Sequence, residues 1–334
     1  MCSVKLLVLP LASFHTVNIV VLTYLIFEGT LCSGIRKSRK ELTMRIKCSP
    51  IRVLMAILLV LAFLVPAASQ QAGMVQDRSE TREANPEDIN QWRNKTIMFI
   101  GAHPDDEVSC SGTFAKLIKN GNTVYLVHLT SGNKGSRDLE MTSERLAAIR
   151  KQEDIAANAA IGIPAKNIFF VGYDDGMLEY VPEKELVEKV CWFIRKYRPD
   201  ALFLFDSGDD WVQWHKTDHR MAAKVALDGA RAAAYHLYFP HHRIYDGLQP
   251  FTVVDFFFKS SNSPNFKVDI TEVAELKFQA AIKHTSQWGK GNAKYTGPEM
   301  DPEDVERQRQ RRLRKGPDGK IYEEFRRVQE SMSF

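Results

Sequence analysis

The chain has 334 residues, 44% apolar and 26% charged, which gives enough apolar surface for a substantial core and excludes a disordered or fibrous protein. Its formal charge of +4 is unevenly placed, since residues 1–69 carry eight Lys/Arg against two Asp/Glu and leave a net of −2 for the remainder. Such a body has no basic field for nucleic acid, and none is expected as a partner.

Two apolar stretches precede the body, Leu6 to Phe27 and Val53 to Val65, and between them residues 36–52 hold seven Lys/Arg and one acid, Glu41. Met44 to Arg52 supplies a basic leader, Val53 to Val65 an apolar run too short to span a bilayer comfortably, and Pro66-Ala-Ala-Ser69 a small-residue cleavage site. This reads as a signal peptide with Met44 as the true start. The competing reading keeps both stretches as membrane helices around the basic loop. Both readings export the body, to a periplasmic or extracellular space, and confine any membrane contact to residues 1–69. Residues 70–92 are polar and read as a linker. Of five cysteines only Cys110 and Cys191 lie in the body, without a Cys-x-x-Cys pattern, so no disulfide framework is expected.

The body opens with Thr96-Ile-Met-Phe-Ile-Gly-Ala-His-Pro-Asp-Asp-Glu107, an apolar strand that ends abruptly in one imidazole and three carboxylates. Thr113 to Lys119 has helical character and stops at Asn120-Gly121, and Val124 to Leu129 forms a second strand. Strand, short helix, strand begins a parallel α/β sheet, whose carboxyl edge is where such sheets place their sites. Thr130-Ser-Gly-Asn-Lys-Gly-Ser136 then lines that edge, without the spacing of a phosphate-binding loop. An alanine-rich helix runs from Ser143 to Ile161, a third strand from Asn167 to Val171, and a helix from Glu183 to Tyr197 with one apolar face. Ala201 to Phe205 is a fourth strand. After it come Asp206-Ser-Gly-Asp-Asp-Trp211 and His215-Lys-Thr-Asp-His219, which opens a helix reaching about Tyr235. Thr252 to Phe258 is a further strand, and Asp269-Ile-Thr271 caps a helix running to about His284. Residues 93–290 thus form the expected catalytic domain. Residues 291–334 form a charged extension packed on it, in which the basic run Arg307 to Lys315 reads as a solvated helix face.

So much negative charge beside a histidine calls for a cation. His103, Asp106 and His219 would bring nitrogen, oxygen and nitrogen from two strand ends to one divalent metal with an open position for water. Asp105 diverges from its neighbours, free to take a proton from that water or to support a ligand histidine. His215 is either a proton donor and oxyanion stabiliser oriented by Asp218 or an ordinary histidine at a helix start. Trp211, Trp214 and Trp288 are either sugar-stacking or core residues. No Gly-x-Ser-x-Gly elbow is present, and paired carboxylates for glycoside cleavage would leave the histidines unexplained.

The ordered series Ala102-His-Pro-Asp-Asp-Glu107, Thr130-Ser-Gly-Asn-Lys-Gly135, Arg150-Lys-Gln-Glu153, Gly172-Tyr-Asp-Asp-Gly176, Asp218-His-Arg220, His284-Thr-Ser-Gln287 and Tyr322-Glu-Glu-Phe325 resembles the LmbE/PIG-L family of metal-dependent N-acetylglucosaminyl deacetylases over residues 95 to 326. The resemblance implies a Rossmann-like parallel sheet with helices on both faces and the site at the carboxyl ends of the strands. It implies zinc held by His103, Asp106 and His219, a donor set whose chemistry also accepts iron. Asp105 would be the general base, His215 with Asp218 the electrophilic pair, and Arg150, Asp175 and His284 substrate contacts. One departure stands out: the family writes His-Pro-Asp-His, whereas His215 and His219 lie four apart with Lys216-Thr217 in place of the proline.

The expected activity is metal-assisted removal of an acetyl group from an N-acetylated sugar, a small molecule or oligosaccharide. The alternatives are hydrolysis of another glycoside-borne amide and a non-catalytic sugar-binding protein on the same fold.

Overall fold

The computed structural model describes residues 85–206 and 217–329. The expected leader and membrane stretches, most of the linker, Trp211, Trp214 and His215 lie outside the described residues. Among those described, no helix is long and apolar enough to cross a membrane.

The strands are β1 (Thr96–Gly101), β2 (Thr123–Thr130), β3 (Ile168–Tyr173), β4 (Ala201–Phe205), β5 (Phe256–Lys259), β6 (Phe266–Asp269) and β7 (Tyr322–Val328), in the spatial order 3-2-1-4-5-7-6. The first five run parallel, while β7 is antiparallel to both β5 and β6, so the sheet is mixed rather than wholly parallel. The order reverses at β1, whose neighbours are β2 on one side and β4 on the other. Their carboxyl ends therefore flank the switch point at which such sheets form their crevice.

Residues of β1 are fully buried from Ile97 to Ile100 and alternate between two cores. Ile97 and Phe99 join α1 (Ser111–Lys119), α2 (Ser143–Ala160) and α5 (Ala274–Ala281) through Phe114, Ala157 and Ala280. Met98 and Ile100 join α3 (Glu183–Tyr197) and α4 (Thr217–Ala234) through Leu186, Val190, Val225 and Ala226. Helices thus cover both faces, as expected. The strand expected over Thr252 to Phe258 begins only at Phe256, where pairing with Leu202 of β4 starts.

The charged stretch after residue 290 supplies an interior strand. Four of the seven residues of β7 are charged, yet Glu323 and Arg327 point inward. Each is matched: the Glu323 carboxylate accepts from the Gly112 and Thr113 amides at 2.9 and 2.8 Å, capping α1, and Lys277 pairs with it. Arg327 donates to both Asp255 oxygens at 3.0 and 2.7 Å. Arg326, on the other face, holds Asp206 at the end of β4 at 2.8 and 2.6 Å. These partners come from remote positions, so no local periodicity announces the strand.

Helices α3 and α4 approach closely at Gly229, where a Cβ would lie 2.3 Å from Val190 Cγ1 and 3.3 Å from the Cys191 amide. Gly229→Ala should therefore overpack this contact and cost about 1–3 kcal/mol, read as a lowered urea midpoint with an unchanged slope.

Candidate metal centre and active site

At the end of β1 the chain turns sharply enough that a Cβ on Gly101 would sit 2.5 Å from the Phe99 ring and 3.1 Å from Asp106 Cβ. Asp106 closes the turn: its Oδ2 accepts from the amides of Ala102 and His103 at 2.9 and 2.8 Å. Between them Asp105 adopts φ 152°, ψ −11°, a region that costs a residue with a Cβ on the order of 1–3 kcal/mol. The strain sends three consecutive acids different ways. Asp105 stays half-buried, Asp106 faces the crevice, and Glu107 turns inward to 1% exposure.

Asp106 Oδ1 lies 3.2 Å from His219 Nε2, and His103 Nδ1 lies 3.1 Å from that nitrogen and 3.6 Å from Asp106 Oδ2. Ligands of a tetrahedral ion with bonds of about 2.0–2.2 Å are about 3.3 Å apart, so the donor set and its spacing fit a zinc-like ion. The far side of the His103 ring supports this, because Nε2 lies 2.9 Å from Asp175 Oδ1 and 3.3 Å from Asp218 Oδ2. Carboxylates there hold the proton on Nε2 and leave Nδ1 free to donate its lone pair. Burial alone would depress His103, but Asp106, Asp175 and Asp218 outweigh it and hold the ring well above its ordinary value. Burial likewise pushes Asp106 up, and His219, His103 and Lys259 overcome it and hold the carboxyl well below the usual range. His219 stacks on Phe205 at 4.2 Å.

Lys259 belongs to none of the motifs visible in the sequence. Its ammonium, at the end of β5, lies 3.8 Å over the Phe205 ring and donates to the Asp106 carbonyl at 2.5 Å, placing a buried cation under the turn. The one signal is a lysine ending an otherwise aromatic strand, Phe-Phe-Phe-Lys.

Asp218 was expected to orient His215. The structure places it behind His103, with its two oxygens accepting from the Gly176 and Leu178 amides at 2.6 and 3.1 Å. It thereby ties the start of α4 to the turn after β3. Arg150, expected at the substrate, is 4% exposed; Nη2 donates to the Gly135 carbonyl at 2.9 Å and Nη1 lies 3.7 Å from Asp175 Oδ2. The glycines of the 130–135 loop make room for this guanidinium. A Cβ on Gly132, at φ +63°, would sit 2.8 Å from Nη1, and one on Gly135 2.7 Å from Nη2.

His284, expected among the substrate contacts, is fully buried beneath the turn, its Nε2 3.6 Å from Glu107 Oε1. Its neighbours carry the link to the crevice. Glu153 accepts from Thr285 Oγ1 at 2.6 Å, the Ser286 amide at 2.8 Å and Ser286 Oγ at 2.6 Å, while Gln287 donates to the Pro104 carbonyl at 2.9 Å. The Arg-x-x-Glu and His-x-Ser-Gln segments are one hydrogen-bonded unit that braces the β1 turn. Trp288 is half-buried, 5.7 Å from the His284 ring, with the Arg312 guanidinium 5.1 Å over it.

The sequence profile of the PIG-L family, described as GlcNAc-PI de-N-acetylase, matches residues 98–230. The diacetylchitobiose deacetylase of Thermococcus kodakarensis is 30% identical over 196 residues, which cover 58% of this chain and 70% of that protein. The chain belongs to the PIG-L family. A mycothiol S-conjugate amidase of Streptomyces coelicolor is 26% identical over 177 residues, 47% of this chain and 59% of that one. Among solved structures, the N,N'-diacetylchitobiose deacetylase of Pyrococcus horikoshii superposes with a TM-score of 0.59 at 26% identity, covering 70% of this chain and 84% of that one. The PIG-L match ends at residue 230, so the Lys259, Ser286 and β7 contacts lie beyond it.

Removing the brace has a direct consequence. Glu153→Ala leaves the Ser286 amide and hydroxyl without their acceptor and Thr285 Oγ1 to the Gly297 carbonyl at 3.2 Å, and should cost roughly 3 kcal/mol in urea denaturation, whereas Glu153→Gln, which keeps an acceptor oxygen, should lose less.

Proposed function

We propose that this chain is a metal-dependent N-deacetylase that hydrolyses the acetamide of an N-acetylglucosamine-type sugar. The observation that carries the reading is the donor triangle of His103, Asp106 and His219 at the crevice, with a further half-buried acid, Asp105, beside it. Membership of the PIG-L family and similarity to deacetylases support amide hydrolysis as the reaction class.

His103 Nδ1, Asp106 and His219 Nε2 would hold a zinc or iron ion, which when bound lowers the pKa of water toward about 7 and polarises a carbonyl. Asp175 and Asp218 fix the His103 tautomer, and Lys259 and the two turn amides fix Asp106. Asp105 takes the proton from the attacking water as its oxygen bonds to the amide carbon, and returns it to the departing amine, so that acetate and a free amino sugar leave. Asp105, half-buried beside the ligand set and outside it, is the acid this reading leaves to act on the water. Arg150 braces Asp175 and the glycine loop. His215 remains the proposed oxyanion donor, its spacing from His219 notwithstanding. Similarity to the mycothiol S-conjugate amidase favours a second reading, the same chemistry on another amide of a glucosamine conjugate.

Incubating metal-loaded protein with N-acetylglucosamine, N,N'-diacetylchitobiose and an N-acetylglucosaminyl inositol should release acetate from at least one of them. Asp105→Ala should keep the ion and lose at least about a hundredfold in rate. Full activity in that variant would overturn the base assignment, and absence of acetate with every N-acetylated sugar would overturn the substrate class.

We also infer export, on the pattern of residues 44–69. Mass spectrometry of the mature protein should find its amino terminus near residue 70, outside the cytosol; a cytosolic protein that retains Met1 would refute this.

A further inference from the structure

We propose that Glu107, Asp154 and His284 form a second, enclosed divalent-cation site beneath the crevice, with His128 as the partner of Asp154. The proposal does not depend on the catalytic reading, because none of these residues belongs to the donor triangle.

Glu107 is the acid of the β1 turn for which the crevice has no use. It points into the protein, where one ligand atom from each of Glu107, Asp154 and His284 lies within 4.8 Å of the others. The group is sealed: Glu107 is 1% exposed, and Asp154, His284 and His128 are 0% exposed. Yet among the described residues Glu107 Oε2, both Asp154 carboxylate oxygens and both ring nitrogens of His284 and of His128 have no hydrogen-bond partner. The hydrogen bond that does reach the Glu107 carboxylate comes from Asn158, at 3.2 Å from Oε1. Buried polar atoms are nearly always satisfied, and so many without a hydrogen bond in one enclosed group call for an occupant.

Direct ion pairing does not account for the spacing. Charge-assisted N–H···O contacts close to about 2.7–2.9 Å. Between the proposed ligands, His284 Nε2 stands 3.6 Å from Glu107 Oε1, beyond that range, while His128 Nε2, 3.2 Å from Asp154 Oδ2 and 4.0 Å from Glu107 Oε2, backs Asp154 from outside the ligand set. Donors that share an ion do not touch one another; with bonds of about 2.1 Å they sit about 3–4 Å apart. Charge agrees as well. Two buried carboxylates balance one divalent cation and leave both imidazoles neutral; without the ion, the same buried charge has to be balanced by protons shared among the carboxylates and imidazoles. Two carboxylates with one imidazole suit Mn²⁺, Fe²⁺ or Zn²⁺. With every ligand sealed, the ion would enter as the chain folds and exchange slowly. Held by Glu107 and His284, it would anchor both ends of the brace described above, the β1 turn and the segment that carries Ser286 and Gln287.

The test is metal content and anomalous diffraction on the full chain, refolded with Zn²⁺ or with Mn²⁺ and dialysed against chelator-treated buffer. Wild type should hold about two ions per chain. Asp106→Asn should lose the outer ion and Asp154→Asn the inner, each retaining the other. A wild-type anomalous map with no peak among Glu107, Asp154 and His284, or one ion per chain that Asp106→Asn removes and Asp154→Asn leaves, would overturn the proposal. If Asp154→Asn does not fold, the wild-type map decides alone. An ion lost in Asp154→Asn but unaffected by Asp106→Asn would support the inner site and count against the outer one, so the two readings fail separately.

Discussion

Four ionisable side chains within five residues, at the end of a strand buried on both faces, must each find a compensating partner. His103, Asp105, Asp106 and Glu107 cannot all face one way without mutual repulsion that burial would amplify. The chain resolves this by twisting the backbone at Asp105 into a disfavoured region, so that the acids diverge. Asp106 receives two turn amides, His219 and the Lys259 cation, and His103 receives Asp175 and Asp218 on its far nitrogen. Strain at one residue is offset by charge matching at its neighbours.

That matching reaches across the whole fold. The partners of this one turn come from the ends of β3 and β5 and the start of α4, with the 284–287 segment and, behind them, Glu153 of α2. Each is a polar group brought to the carboxyl edge by an element whose apolar side lies in one of the two cores. The sheet order places β1 at the point where the order reverses, so neighbours on both sides contribute. Arg150 illustrates the cost of such convergence. A guanidinium in a space this confined requires glycine at both 132 and 135, because a side chain on either would occupy its place. The glycines of that loop serve an arginine inside the protein, and a phosphate has no part in explaining them.

The outer half of the fold follows a different logic. β7 lies inside the sheet although its sequence, Tyr-Glu-Glu-Phe-Arg-Arg-Val, is as charged as a surface segment. Glu323 caps α1 and pairs with Lys277, and Arg327 pairs with Asp255, so buried charge is admitted only where a partner is waiting. The same rule, applied to Glu107, Asp154, His284 and His128, finds seven of the ten buried side-chain polar atoms that lack a hydrogen bond among the described residues gathered in this one group, although ion-pair contacts link its members.

The sequence by itself determined what depends on neighbours along the chain. The apolar runs ending in polar residues marked β1 to β4, most sharply β1 and β4, which are buried on both faces and so admit almost only apolar residues; the helical spacing of Leu186, Val190 and Ile194 marked α3. The abrupt His-Pro-Asp-Asp-Glu ending, read with Asp218-His219, singled out the residues of the donor triangle through their chemistry and their position at a strand end and a helix start. Tertiary structure alone decided the rest. β6 and β7, the roles of Lys259 and Glu153, the placement of Asp218 behind His103 and the burial of His284 beneath Glu107 all rest on contacts between residues tens to hundreds of positions apart. A buried charge is tolerated or forbidden according to the partner it meets in space, and that partner is not written beside it in the chain.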